Sequence, residues 1–266
     1  MFSSGKLKSF LVVLVAVVVL SLAVAGLLST KKSGKNVSTN ELRRVTFSTN
    51  GKITAQWLAR ELAIKKGVDL FSLDISSMKT RLENLQQIRR ISIEKCYPDT
   101  LSIRLDERSP ILKVAVKMNG TRKLFLVDGT DGKIFSPICY DKQVLSNILP
   151  ANITLKQSDD KIFQFLPLKG APAIKEFIST LQNDFPEVFA MVKFVNLKDY
   201  DSRPGAIWAT IELHLKNGII VVFGTRQFGV QLLRLNYLLN EKCADSLHRI
   251  KKINVSSPDD GVLEYK

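Results

Sequence analysis

Side chains that carry chemistry are scarce in this chain of 266 residues, which holds two histidines, three cysteines and two tryptophans. His214 alternates with Glu212, so the two share one face of a strand, which reads as an exposed strand face rather than an acid–base pair. Cys243 and His248 sit near a helix end, at a spacing that suits neither two metal ligands on one helix face nor a nucleophile with its base. Asp128 and Asp131 fall short of the ligand count of a calcium loop, and their glycines mark a hairpin turn instead. No glycine-rich phosphate loop follows a strand. No catalytic or metal-binding constellation is therefore expected, and neither a cofactor nor a small-molecule substrate. Three cysteines are too few and too odd for a disulfide framework. Cys139 and Cys243 either pair in an oxidising compartment or, like Cys96, remain free and partly buried as small apolar residues.

Charge of one sign dominates. The formal net charge is +14, and an excess of this size favours anionic partners such as lipid headgroups or acidic polymers. No arginine-rich run with interleaved aromatics is present, so nucleic acid is not expected as a partner. Part of the excess sits at the front, where Lys6, Lys8, Lys31, Lys32, Lys35, Arg43 and Arg44 face only Glu41.

Between those cations lies the uncharged run "FLVVLVAVVVLSLAVAGLL" from Phe10 to Leu28. A helix needs about 20 apolar residues to cross the hydrocarbon core. Ala23-Val24-Ala25 also resembles a cleavage site, but the run outlasts the roughly 7–15 apolar residues of a signal peptide. An uncleaved membrane anchor is expected, with a leader at 1–9, a span at 10–28 and a polar linker at 29–41. Lysines flank both ends, so the positive-inside rule does not decide orientation. The short leader favours an N-terminus in the cytoplasm and export of everything that follows.

From Leu42 the pattern becomes globular. "RRVTF" predicts a strand followed by the turn pair Asn50-Gly51. Thr54 caps a helix expected to reach about Ile64 and end near Gly67. Asp74 or Ser76 caps a second, on which Met78, Leu82 and Leu85 form one buried stripe. Ile91 and Ile93, then Leu101, Ile103 and Leu105, alternate with polar residues on either side of the turn Tyr97-Pro98-Asp99-Thr100. The result is a β-α-α-β-β unit over 42–109, with Pro110 expected to stop pairing. The polar positions Ser102, Arg104 and Asp106 face outward, as either a solvated surface or a contact for a neighbour. The rest, 110–266, is strand-rich: hairpins around Asn119-Gly120 and Asn217-Gly218, a helix through Ile174, Phe177, Ile178 and Leu181 ending near Pro186, a leucine-rich helix from Val230 to Leu239, and a last pair of strands around Pro258–Gly261.

Several stretches resemble the FtsQ/DivIB family of cell-division proteins. "GVDLFSLD" (Gly67–Asp74) is similar to the family's connection between two helices, and "IRRISIEKCYPDTLSIRLDERSPIL" (Ile88–Leu112) to the end of its POTRA domain. There an aromatic-Pro-Asp-Thr-Leu turn (Tyr97–Leu101) precedes a Glu-Arg-x-Pro exit (Glu107–Pro110). "LFLVDGTDGKIF", "LPLKG" and "LKNGIIVVFG" resemble stretches of the family's second, β domain. The resemblance implies an α+β protein with a transmembrane helix, a POTRA domain and a mixed, strand-rich β domain with flanking helices. It implies a non-enzymatic division scaffold that binds FtsB and FtsL outside the cytoplasmic membrane and helps place and regulate the septal peptidoglycan synthase complex. It places partner binding on the last strand, here Val262, Leu263, Glu264 and Tyr265, by strand addition, and recruitment contacts on the POTRA unit. Relatives continue past this strand and carry an aromatic toward its end. Here Tyr265 is the only nearby aromatic before Lys266, which implies a shorter or shifted contact.

Other readings fit less well. A POTRA-bearing envelope assembly protein unrelated to division remains the alternative. An outer-membrane transporter needs a β-barrel after its POTRA units, and the residues after Pro110 carry helices and too few long alternating strands. Glycosylation sequons at Asn36, Asn119, Asn152 and Asn254 are short enough to arise by chance.

Overall fold

The computed structural model describes residues 40–65, 67–156, 165–202, 206, 209–242, 244–257 and 261–266. The chain divides into two compact units, Met1–Arg108 and Ser109–Lys266. Among the described residues the strands form two sheets, one of three strands and one of nine. The architecture is mixed α+β.

The first unit runs β1 (Arg44–Thr49), α1 (Ala55–Glu61), α2 (Ile75–Glu83), β2 (Ile88–Cys96) and β3 (Thr100–Glu107). β3 is central, parallel to β1 and antiparallel to β2. Its inward residues Leu101, Ile103 and Leu105 are buried, as are Leu58 of α1 and Leu82 of α2, so one face of the sheet and one side of each helix make a small core. The helices begin where the caps predict: Thr54 Oγ1 accepts the Trp57 N–H at 3.2 Å, and Asp74 Oδ1 accepts the Ser77 N–H at 3.0 Å.

Two details of these helices differ from the sequence reading. α1 stops at Glu61, short of Ile64, because Ala63 adopts φ +48°. The Ala63 N–H then bonds the Arg60 carbonyl and the Ile64 N–H the Ala59 carbonyl, the paired closure that ends a helix. Gly67, with φ +76°, lies beyond that stop. On α2 only Leu82 is fully buried. Met78 is half-buried, and Leu85, also half-buried, lies past the end of α2 at Glu83, so the expected stripe is not carried by the helix alone.

The second unit runs β4 (Pro110–Met118), β5 (Thr121–Asp128), β6 (Ile134–Phe135), α3 (Lys142–Ser146), β7 (Leu149–Asn152), α4 (Ala171–Asp184), α5 (Pro186–Met191), β8 (Val192–Asn196), α6 (Lys198–Ser202), β9 (Ile211–Leu215), β10 (Ile220–Phe223), α7 (Phe228–Tyr237), β11 (Ile250–Asn254) and β12 (Val262–Tyr265). The sheet order is β12-β11-β10-β9-β8-β7-β4-β5-β6. Pro110 does not stop pairing. It opens β4 opposite Asp128, a first-residue position where a missing N–H breaks no ladder bond. Asn119 and Gly120, at φ +48° and +79°, make the expected tight turn between β4 and β5.

The core lies on one face of this sheet. Val195, Leu213, Val221 and Ile253 stand in register across β8, β9, β10 and β11, all with 0% exposure. Leu263 of β12 extends that row at the margin of the core. Ile174, Phe177, Ile178 and Leu181 give α4 its apolar stripe, and Phe228, Leu232 and Leu235 give α7 another. The Phe177 ring lies 5.0 Å from the rings of both Phe223 and Phe228, joining the helices to the sheet. Pro186 ends α4 through its effect on Phe185, then starts α5 as the first helical residue. Only the first half of that double role was expected.

Candidate interaction surfaces

The two margins of the nine-stranded sheet are unlike. β6 is two residues long and both are buried. β12 is longer and open: Val262 is 59% and Tyr265 55% exposed. It pairs antiparallel with β11, with Asn254 opposite Val262, Ile253 opposite Leu263 and Lys252 opposite Glu264. Beyond it the Lys266 N–H donates inward to the Arg249 carbonyl at 2.8 Å. Alternation along a strand then turns the N–H groups of Leu263 and Tyr265 to the open side.

Side chains divide the same way. Leu263 points to the core face, while Val262 and Glu264 lie on the other. Lys251 Nζ lies 2.6 Å from Glu264 Oε1. That hydrogen bond, and then the Lys251 charge, hold the Glu264 carboxyl below the usual carboxylate range. Both side chains are more than half exposed, so the pair fixes orientation more than it stabilises the fold.

The row behind Glu264 on that face is Lys252, Ile220, His214 and Phe194, taken strand by strand. His214 stacks on Phe194 with ring centroids 4.2 Å apart, and its Nε2 lies 3.6 Å from Glu212 Oε2. Asn196 Nδ2 donates to Glu212 Oε2 at 2.7 Å. The pair is half-buried rather than an exposed strand face, because the Phe194 ring covers the imidazole.

In the first unit, Ser102, Arg104 and Asp106 share the face opposite the core, but they are not equally available. Asp106 accepts from Asn50 Nδ2 at 2.7 Å and Arg90 Nε at 3.0 Å. Ser102 is half-buried, and Arg104 stands exposed between Ser48 and Ser92. The anchor residues Phe10 and Leu28, and Cys243, lie outside the described residues. Cys96 and Cys139 are free and exposed, not partly buried as expected, because each sits in or beside a turn. No helix among the described residues is long and apolar enough to cross a membrane.

The sequence reading used Glu107 and Arg108 only as a signature, and missed what they do. Glu107 is 3% exposed, yet its carboxylate is fully satisfied. Thr49 Oγ1 donates to it at 2.5 Å, Gln87 Nε2 at 2.6 Å, and the N–H groups of Lys52 and Ile53 at 2.9 Å each. The Glu107 N–H in turn donates to Asn50 Oδ1 at 2.6 Å. Arg108 donates from Nε to the Gln86 carbonyl at 2.8 Å and from its N–H to the Gln87 carbonyl at 2.9 Å. One buried carboxylate thus ties the β1–α1 turn, the start of β2 and the end of β3. A Cβ at Gly51 would run into it, so that turn position requires glycine.

Residues 40–108 match the family model of the POTRA domain, FtsQ-type. Residues 40–108 of the first unit are thus similar to an FtsQ-type POTRA domain. The match, which covers the described part of the first unit, supports an FtsQ/DivIB-family protein. No curated protein matches the chain significantly. The β-α-α-β-β order, the clamp at Glu107 and the exit into β4 are how this POTRA domain is built here.

Proposed function

We propose that the chain is a non-enzymatic scaffold of the cell-division machinery. The apolar run from Phe10 to Leu28 holds it in the cytoplasmic membrane, with its N-terminus inside and both folded units outside. There it binds FtsB- and FtsL-type division proteins and helps recruit and regulate septal peptidoglycan synthesis. The observation that carries this reading is the open margin at β12, in a chain whose first unit is similar to an FtsQ-type POTRA domain.

An open strand is a liability unless a partner covers it. A strand added to β12 gains backbone hydrogen bonds from the outward N–H groups of Leu263 and Tyr265 and from the carbonyls beside them. About four such bonds at roughly 1 kcal/mol net each give about 4 kcal/mol, a millimolar affinity on their own. Useful affinity therefore requires side chains as well. Val262 and Tyr265 supply exposed apolar surface on opposite faces, and the Lys251–Glu264 pair marks the register. On the POTRA domain Arg104 is the most available of the three outward residues for recruitment contacts.

Localisation tests the reading. A fluorescent protein fused to the N-terminus should form a midcell band before constriction begins. A uniform envelope signal would remove the division role, and a free tag would show that the span is cleaved.

A further inference from the structure

Phe71 and Tyr97 are each 57% exposed, and their rings meet at a centroid distance of 4.8 Å. They are far apart in sequence: Phe71 belongs to the short helical turn Leu70–Ser72, and Tyr97 to the turn between β2 and β3. The exposure is not fraying. Asp69 Oδ1 accepts the Phe71 N–H at 3.2 Å, and Lys95 Nζ donates to the Phe71 carbonyl at 3.0 Å. Two large apolar rings are thus held outward at one end of the POTRA domain.

That end is where the chain enters the domain. The Leu70 N–H bonds the Asn40 carbonyl at 2.9 Å, and the N–H groups of Arg43 and Arg44 both reach the Asp99 carbonyl, at 2.9 and 3.2 Å. The segment that leads into β1 passes between the loop bearing Phe71 and the turn bearing Tyr97. From Leu28 to Asn40 the chain can reach at most about 40 Å, at about 3.3–3.6 Å per residue. The sequence of that approach is basic as well. Lys31, Lys32 and Lys35 precede Asn40, exposed Arg43 and Arg44 follow, and exposed Lys65 and half-buried Lys95 belong to the same end, with Glu41 as the acidic residue of the approach. The carboxylates Asp69 and Asp99 lie here too and keep their charge, Asp69 accepting the Phe71 N–H and Asp99 the Thr100 hydroxyl, so the basic excess comes chiefly from the lysines ahead of Asn40.

We infer that this end of the POTRA domain, led by Phe71 and Tyr97, rests on the anionic headgroup surface of the membrane that holds the chain. Tyr97, an apolar ring with a polar hydroxyl, suits the membrane–water boundary, the Phe71 ring beside it gains by leaving water, and basic residues nearby add attraction to anionic lipid. A second copy fits less well, since it would bring Arg43, Arg44 and Lys65 against their own images. The inference rests on the membrane-anchor reading above, and the test separates the two.

Cys96, exposed and adjacent to Tyr97, is the reporter, and Cys139 in the second unit is the control. Full chain carrying Cys139→Ser and Cys243→Ser is labelled at Cys96 with a nitrobenzoxadiazole probe. A second sample, carrying Cys96→Ser and Cys243→Ser, is labelled at Cys139. Both are reconstituted in vesicles of phosphatidylethanolamine and phosphatidylglycerol containing lipid spin-labelled high on the acyl chain. The Cys96 probe should emit further to the blue and be quenched several-fold more than the Cys139 probe. Phe71→Ser combined with Tyr97→Ser should bring it to the Cys139 level. Arg43→Gln with Arg44→Gln, which leaves the core untouched, should lower it in part, as should replacing phosphatidylglycerol by phosphatidylcholine. Chain that fails to float with the vesicles overturns the anchor and this inference together. Chain that floats with Cys96 unquenched, or quenched no more than Cys139, overturns this inference alone. Self-quenching at Cys96 that grows with protein density would give the rings to a second copy instead.

Discussion

The POTRA domain and the second unit hold themselves together by different means. The POTRA domain spans a three-stranded sheet and two short helices, too little apolar surface for a large core, and it adds a buried carboxylate that gathers four donors from two other segments. The second unit spreads an apolar core across nine strands, α4 and α7; it too buries a carboxylate, Asp128, which accepts the Ser109 N–H at 3.1 Å, but the gathering of four donors on one carboxylate belongs to the smaller unit. Small domains bury a smaller fraction of their surface, so a satisfied polar network has more to contribute there.

The sharpest way to break this comparison is to charge each core in turn. Leu82→Asp puts an unpaired carboxylate where exposure is 0%, at a cost of at least about 4 kcal/mol, comparable with the whole stability of a small domain. Hydrogen exchange should show protection lost across the POTRA domain and kept in the second unit. Unchanged protection would mean that α2 is not packed through Leu82. Phe177→Ala should do the converse, costing about 3–5 kcal/mol in the second unit through the cavity left between Phe223 and Phe228.

Next in size is the clamp itself. Glu107→Gln keeps the shape but turns an NH2 group toward one pair of donors, against either Thr49 and Ile53 or Lys52 and Gln87. A loss of about 1–3 kcal/mol is expected, confined to the POTRA domain, and denaturant unfolding with a probe in that unit measures it. Gly51→Ala should cost a similar amount, because its Cβ meets the same carboxylate. Equal stability of both variants with the parent would leave the network as ornament on an adequate apolar core.

What the sequence displayed follows from the same contrast. Local signals were readable: the Thr54 and Asp74 caps, the alternation through Leu101, Ile103 and Leu105, the Asn119-Gly120 turn and the stripe on α4. The short elements α3, β7, α5 and β8 were not foreseen, since four to six residues carry too little periodicity to separate from a loop. Glu107 was hidden for another reason. Its partners lie at Thr49–Ile53 and Gln87, and a carboxylate next to an arginine reads as surface until the fold brings those donors in. Pro110 misled because proline within a β pattern signals a break, whereas a first-strand position tolerates it. The last hairpin was legible as two strands with a turn. Which N–H groups face outward required the Lys266–Arg249 bond.

The margin at β12 gives a smaller effect on stability and a larger one on association. Tyr265→Pro removes an outward N–H while sparing the core, and Leu263→Pro removes another at the edge of it. If an FtsB-type partner adds a strand here, as proposed, Tyr265→Pro should leave melting nearly unchanged and weaken that partner about tenfold or more, as the loss of one backbone bond and a ring's contact predicts. Leu263→Pro should do the same with a modest drop in stability. Calorimetric titration against the partner's extracytoplasmic segment measures both. Unaltered affinity in the folded Tyr265→Pro variant would move the partner off this strand.

The finest distinction concerns the Lys251–Glu264 pair, which the same margin presents to solvent. Glu264 titrates below the ordinary range because Lys251 hydrogen-bonds and charges its surroundings. A carboxyl with a lowered folded pKa contributes above its unfolded pKa, and that contribution is lost as pH falls through the folded value. Lys251→Met should therefore raise the Glu264 titration toward the ordinary range in a carbon-detected nuclear magnetic resonance titration, with little change in melting temperature. Raising salt on the parent protein should shift it the same way, since the pair is exposed. If the β12 margin binds a partner strand in the register that Glu264 marks, bound partner should exclude solvent from the pair and make its titration less sensitive to salt. A salt response identical with and without partner would place the partner strand elsewhere on the margin.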